Sequence, residues 1–158
     1  MSAEMIQDND NGETREYITA VIGKQLFGMH INDVHDVFIP QNMTPVPQAR
    51  GDIAGVLNLR GRIVTAIDMR RKLGLPLREK DALPMAVGIE HKGESYGLVI
   101  DEVGEVMRLQ NSAIEATPTN LDSKWAEIAT GVCRLEGQLM VLLDVSRVLA
   151  MSSEPVAA

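Results

Sequence analysis

The chain has 158 residues, 45% hydrophobic and 23% charged, with a net charge of −7. Such a balance describes one folded domain, or two small halves sharing a core, and its sign argues against non-specific attraction to nucleic acid or anionic lipid. No apolar run approaches the roughly 18 residues of a membrane span, residues 1–13 lack the basic flank and apolar segment of a signal peptide, and the single Cys133 excludes an internal disulfide and fits a reducing cytoplasm.

Along the chain, residues 1–14 are too polar to pack and read as a disordered tail, as do residues 152–158. Between them, short β-branched runs fall at 17–22, 27–31, 53–59, 62–67, 86–90, 96–100, 131–135 and 138–143. Glycine-containing turns at Arg60-Gly61, His91-Lys92-Gly93-Glu94 and Glu136-Gly137 separate several of these runs. Runs of this length with such turns predict hairpins and a mainly β, barrel-like architecture. Asp68 is placed to cap a short helix, which Gly74 and Pro76 would end. Trp125, after Asp122-Ser123-Lys124, reads as the core anchor of a short helix or loop. Aromatics are scarce, so the core must be aliphatic, with Met as filler.

An internal repeat is the most informative feature. The segment Phe27-Gly28-Met29-His30-Ile31-Asn32-Asp33-Val34-His35-Asp36-Val37 aligns without gaps to the segment that begins at Tyr96, at an offset of 69. Downstream, the segment from Gly55 to Asp68 aligns to the one from Gly131 to Asp144, at an offset of 76. The seven extra residues fall in the connection between the blocks, where length costs little. Arg71 and Leu73 match Arg147 and Leu149 in two candidate helices. Two collinear blocks point to duplication, with repeat blocks 27–74 and 96–150. Gly61 and Gly137 supply turns, and Gly28 and Gly97 supply bulges or close backbone approaches.

A search for chemistry finds no catalytic residues. The chain carries no phosphate-binding glycine loop, no nucleophile elbow and no Cys-x-x-Cys pair, and His30, His35 and His91 lack metal-ligand spacing. Neither a cofactor nor a metal is expected. Cys133 aligns with the apolar Leu57 and reads as a buried structural thiol. One Trp, two Tyr and two Phe on an acidic chain offer no stacking groove for single strands.

The copies agree at one aligned position and differ in kind at another: Asp36 matches Glu105, but Arg60 matches Glu136. The first copy therefore offers an Asp36/Arg60 salt bridge where the second offers two carboxylates. A bridge that only one half has cannot be required by the fold, so it reads as part of a recognition surface, with solvated, unpaired charges as the alternative. Val34 and Val37 flank Asp36 and would make an apolar patch with a charged rim, the anatomy of a transient interface, or else an ordinary core strand.

These residues resemble the CheW-like domain family over residues 16–150. The carriers are Phe27-Gly28-Met29-His30-Ile31 with Val34-His35-Asp36-Val37, Val46-Pro47 before Ile53-Ala54-Gly55-Val56, Asn58-Leu59-Arg60-Gly61 leading to Ile67-Asp68-Met69-Arg70, and Gly97-Leu98-Val99-Ile100-Asp101-Glu102-Val103. The resemblance implies one domain over residues 15–151, built from two small five-stranded barrels, SH3-like or OB-like, that can exchange strands. It implies a non-catalytic cytoplasmic adaptor that couples transmembrane chemoreceptors to the histidine kinase CheA, brought to receptor arrays through its partners without entering the membrane. The kinase regulatory domain would meet Val34, Asp36, Val37, Gly55 and Gly61. The cytoplasmic tip of the receptor would enter the groove between the halves, at Arg60, Val87, Val103 and Val106. A small-ligand-binding barrel and an adaptor serving a non-flagellar array are the alternatives.

Overall fold

The computed structural model describes residues 13–47, 51–76, 78–79 and 82–152. Most of the two expected tails therefore lies outside the described residues, although Thr14 already opens a strand and Ser152 closes a helix. Eleven strands and three short helices follow in the order β1 (Thr14–Ile22), β2 (Gln25–His30), β3 (Val34–Phe38), β4 (Ile53–Leu59), β5 (Arg62–Asp68), α1 (Met69–Lys72), β6 (Met85–His91), β7 (Glu94–Ile100), β8 (Glu102–Gln110), β9 (Ile114–Glu115), α2 (Ser123–Ile128), β10 (Ala129–Leu135), β11 (Gln138–Leu143) and α3 (Val145–Ser152). Single turns of 3-10 helix carry β2 into β3 and β8 into β9.

The strands form one sheet of order β8-β1-β2-β11-β10-β9 and one of order β3-β6-β7-β5-β4. Each sheet takes two strands from one copy of the repeat and the remainder from the other, so the halves exchange their first hairpins. The junctions are parallel pairs, β2 with β11 (Leu26↔Met140) and β7 with β5 (Ser95↔Val64). Applying the offsets of 69 and 76 converts one pairing into the other residue for residue. The same holds for Tyr17↔His30 against Ala86↔Val99, for Ile18↔Val106 against Val87↔Val37, and for the bulges before Gly55 and Gly131. Five strands were expected on each side, and one sheet has six. The sixth is the two-residue β9, whose place in the other sheet is held by the single bridge Thr44↔Val56.

The exchange explains the long apolar runs, because strands at the junction are covered on both faces. On β7, Leu98 and Ile100 face a core shared by both sheets, whereas Val99 faces the interior of the five-stranded sheet. On β11, Val141 and Leu143 join the shared core, whereas Met140 and Leu142 fill the six-stranded side. The two interiors use aligned positions with different volumes: Leu57, Val64, Ala66 and Ala86 on one side against Cys133, Met140, Leu142 and Tyr17 on the other. Phe38 makes up volume in the smaller set, and a Cβ on Gly97 would come within 3.0 Å of its ring. Close packing of this kind makes each interior sensitive to a single methyl group. Phe27 is fully buried and meets Trp125 edge-on at 5.7 Å, which anchors α2 to the shared core.

Candidate functional site

β3 and β4 are opposite edges of the five-stranded sheet, yet the sheet curls until β3 meets the β4–β5 hairpin. The meeting point is Asp36. Its Oδ2 lies 3.7 Å from Arg60 Nη1 and 3.5 Å from Arg62 Nη2, and the three side chains are 19%, 74% and 34% exposed. Both carboxylate oxygens are buried and accept no hydrogen bond from the described residues, so the two guanidinium groups are what balance the charge. Arg62 Nη1 also lies 3.1 Å from His35 Nε2. Beneath the carboxylate sits Gly88, where a Cβ would collide with Asp36 Oδ1. The expected Asp36/Arg60 pair is thus one arm of a larger cluster containing His35, Arg62 and Gly88. Arg62 and His35 lie within two residues of the pair in sequence, but Gly88 comes from the other copy, and only strand exchange brings it there.

The hairpin that delivers Arg60 is shaped locally. Arg60 (φ +52°) and Gly61 (φ +82°) both adopt left-handed backbone, as a two-residue hairpin turn with matching twist requires. Asn58 Oδ1 accepts from the Gly61 N–H at 2.8 Å and holds the turn. A non-glycine residue at positive φ is strained, and Glu136, the counterpart of Arg60, is not among the positive-φ residues.

The other expected site residues fall into different places. Val34 and Val37 are half-buried and pack against the shared core, with their remaining surface beside Asp36. Gly55 is buried on β4, where a Cβ would lie 2.6 Å from the Thr44 carbonyl oxygen; its role is a close approach of backbone to backbone. Val103 is half-buried against the shared core and Val106 is 48% exposed, both on β8 of the six-stranded sheet. Val87 requires a correction. It has 0% exposure inside the shared core, because β6 is covered on both faces, and so its side chain offers no surface to a partner. Arg60 belongs with Asp36 on the five-stranded side and not with the β8 valines.

A second polar cluster was not foreseen. Asp101, at the crossover from β7 in one sheet to β8 in the other, accepts from Arg70 at 2.7 and 3.0 Å, from Arg78 Nε at 2.9 Å and from the Gly23 N–H at 2.8 Å. Arg78 also reaches Asp68 Oδ1 at 3.1 Å, and the Asp101 N–H donates to the Val21 carbonyl. Helix α1 and the β1–β2 hairpin, on different sheets, are thereby pinned to one carboxylate. Burial alone would push the Asp101 carboxyl up; the hydrogen bonds from Arg70 and Gly23 and the charges of Arg70 and Arg78 outweigh it and hold the group below its ordinary range. Its counterpart in the repeat is Asn32 and that of Arg70 is Ser146, so this strap too exists once.

His30 accepts from the Asn32 N–H and packs edge-on against Tyr17, and His35 contacts Arg62, which accounts for both rings. Among the described residues no three His, Cys, Asp or Glu side chains are grouped to hold a metal. Cys133 is buried, and burial followed by the charge of Glu115 pushes its thiol up, so it is a poor nucleophile. No helix among the described residues is long and apolar enough to cross a membrane. Two exchanged β-barrels, filled interiors and an unbalanced surface charge are the features of a scaffold or adaptor module.

Comparison with known proteins agrees. The family model for the CheW-like domain matches residues 16–153, and the chain belongs to that family. It is 26% identical over 134 residues to "Chemotaxis protein CheW" of Thermotoga maritima, covering 85% of this chain and 87% of that protein. It is 28% identical to the Rhizobium meliloti protein of the same name, covering 85% and 86%. The crystal structure of the scaffolding protein TtCheW from Thermoanaerobacter tengcongensis superposes with a TM-score of 0.73 at 26% identity, over 83% of this chain and 89% of that one.

Proposed function

We propose that this chain is a chemotaxis adaptor that couples transmembrane chemoreceptors to the histidine kinase CheA by binding both, with no catalysis of its own. Residues 15–151 act as one unit, two halves of duplicated origin. The kinase regulatory domain docks on the edge formed by β3 and the β4–β5 hairpin, through the surface of Val34, Asp36 and Val37 and the turn at Gly61, with Gly55 keeping β4 in shape. The receptor tip lies along the groove side that carries Val103 and Val106, with Arg60 influencing the coupling between the two and Val87 supporting the groove from within. The adaptor works in the cytoplasm and reaches the membrane through its partners.

The observation that carries this reading is the one-sided charge. Two hairpins with the same register differ in that one brings Arg60 and Arg62 to Asp36 of β3, whereas the other carries Glu136 and Gln138 in the half where Glu105 of β8 matches Asp36. Family membership supports the choice of partners. Weak, repeated contacts suit such a role, because an array gains strength from multivalency. The test is Arg60→Glu, with binding to kinase and receptor fragments measured separately. We expect at least a tenfold loss of one binding event with little change in melting temperature, since Arg60 is 74% exposed and Arg62 still balances Asp36. Collapse of the fold with normal binding by the folded remainder would make the charge structural.

A further inference from the structure

We propose that Arg62 is a positioning residue that neutralises Asp36 and so leaves Arg60 free to meet an acidic group on the kinase. The inference rests on the kinase-docking reading above and deepens it. Asp36 is a buried carboxylate, and among the described residues only Arg60 and Arg62 approach it as cations. A buried charge left without a partner is strongly unfavourable, so at least one of the two must stay. The surroundings decide which. Arg62 is 34% exposed, stands within β5 and has a second tether: a guanidinium only donates, so His35 Nε2 must accept from it at 3.1 Å. Arg62 therefore bridges two consecutive residues of β3 across the seam. Arg60 is 74% exposed, has the longer contact and sits at the tip of a turn, where holding a long side chain in water costs rotamer entropy.

Gly88 completes the device from below, because any side chain there would drive Asp36 upward. In the other half the positions of His35, Asp36, Arg60, Arg62 and Gly88 hold Gly104, Glu105, Glu136, Gln138 and Thr19. All five differ, although the strand register does not. The fold requires none of them, and they serve one task together. What the assembly presents is a planar, donor-rich cation on a chain of net charge −7, and that chemistry fits a carboxylate on the partner.

If Arg62 is neutralised, Arg60 becomes the one remaining cation for Asp36 and is drawn down onto it, away from the partner. The full chain is titrated with the regulatory domain of the cognate CheA kinase, as wild type, Arg62→Gln, and Arg62→Gln with Asp36→Asn. We expect Arg62→Gln to bind about tenfold more weakly, and the added Asp36→Asn, although Asp36 lies in the docking surface, to recover at least about threefold of that loss, since no carboxylate then competes for Arg60. A merely structural role would make the double variant bind no better than Arg62→Gln. A second measurement needs no kinase: solvent exchange of the Arg60 Nε–H by NMR should be fast in the wild type and slowed in Arg62→Gln. Normal binding by Arg62→Gln, failure of Asp36→Asn to restore it, or unchanged Arg60 exchange overturns the proposal. A wild type that does not bind the kinase domain overturns the docking reading instead, and the exchange measurement still decides the role of Arg62.

Discussion

The β4–β5 and β10–β11 hairpins are paired in the same register, carry the same bulge and end in the same glycine, yet one tip is basic and the other acidic. The crossovers between the sheets show the same contrast. At one, Asp101 holds two arginines; at the other stands Asn32, whose N–H bonds to His30. The fold therefore depends on backbone register, on the glycines that permit it and on aliphatic volume. Side chains free of those demands have diverged, and their divergence marks where each half does separate work.

The sharpest way to break the comparison is at the crossovers. Asp101→Ala leaves the half-buried Arg70 without its carboxylate and Arg78 with Asp68 alone, and should cost about 2 kcal/mol, whereas Asn32→Ala, at an exposed position, should stay within about 0.5 kcal/mol. Equal losses in urea unfolding would mean that the strap does not hold the sheets together. The same group makes a pH prediction. Its folded pKa lies below the ordinary 3.8, so its stabilising contribution is full at neutral pH and is lost as pH falls through the lowered folded value. Asp101→Asn should therefore flatten the loss of stability below about pH 4.

Next in size are the floors beneath the two edge strands. Gly88→Ala forces a Cβ against Asp36 Oδ1 and should cost about 2 kcal/mol and weaken kinase binding. At the matching position, Thr19 Oγ1 donates to the Glu105 carbonyl at 2.8 Å, and Thr19→Ala should cost about 1 kcal/mol without touching kinase binding. Calorimetric melting with a binding titration on each variant separates the two. The smallest effect belongs to Glu136→Arg, which copies the basic tip onto the acidic hairpin. Stability should change by less than about 0.5 kcal/mol, and kinase affinity should be unaltered. A gain of kinase binding there would show that charge alone, without a seat like Asp36 and Gly88, makes the site.

Much of this was legible before any coordinates. Apolar runs and glycine turns located β1, β2, β4 to β7, β10 and β11, because buried strands and tight turns leave local signals. The repeat singled out Asp36 and Arg60, because a change of charge at aligned positions is visible in one dimension. The edge strands β3 and β8 were not in that set. Glu102-Val103-Gly104-Glu105-Val106 is mostly exposed, and an edge strand with one covered face has a weak pattern. Val87 entered as a groove residue through the family resemblance, and nothing local in the sequence shows that β6 is covered twice.

The amino-acid sequence alone determined the β architecture, the duplicated register, the aliphatic core and the unequal charge of the two halves, since each follows from local spacing and residue type. Only the tertiary structure decided which hairpin pairs with which half, and hence that Gly88 lies under Asp36, that Arg62 shares the carboxylate, and that Asp101 ties the two sheets. The reason is that hydrogen-bonding backbone is alike in every strand. The choice of partner across the exchange is made by packing volume and buried charge between segments distant in the chain, and no local pattern records it.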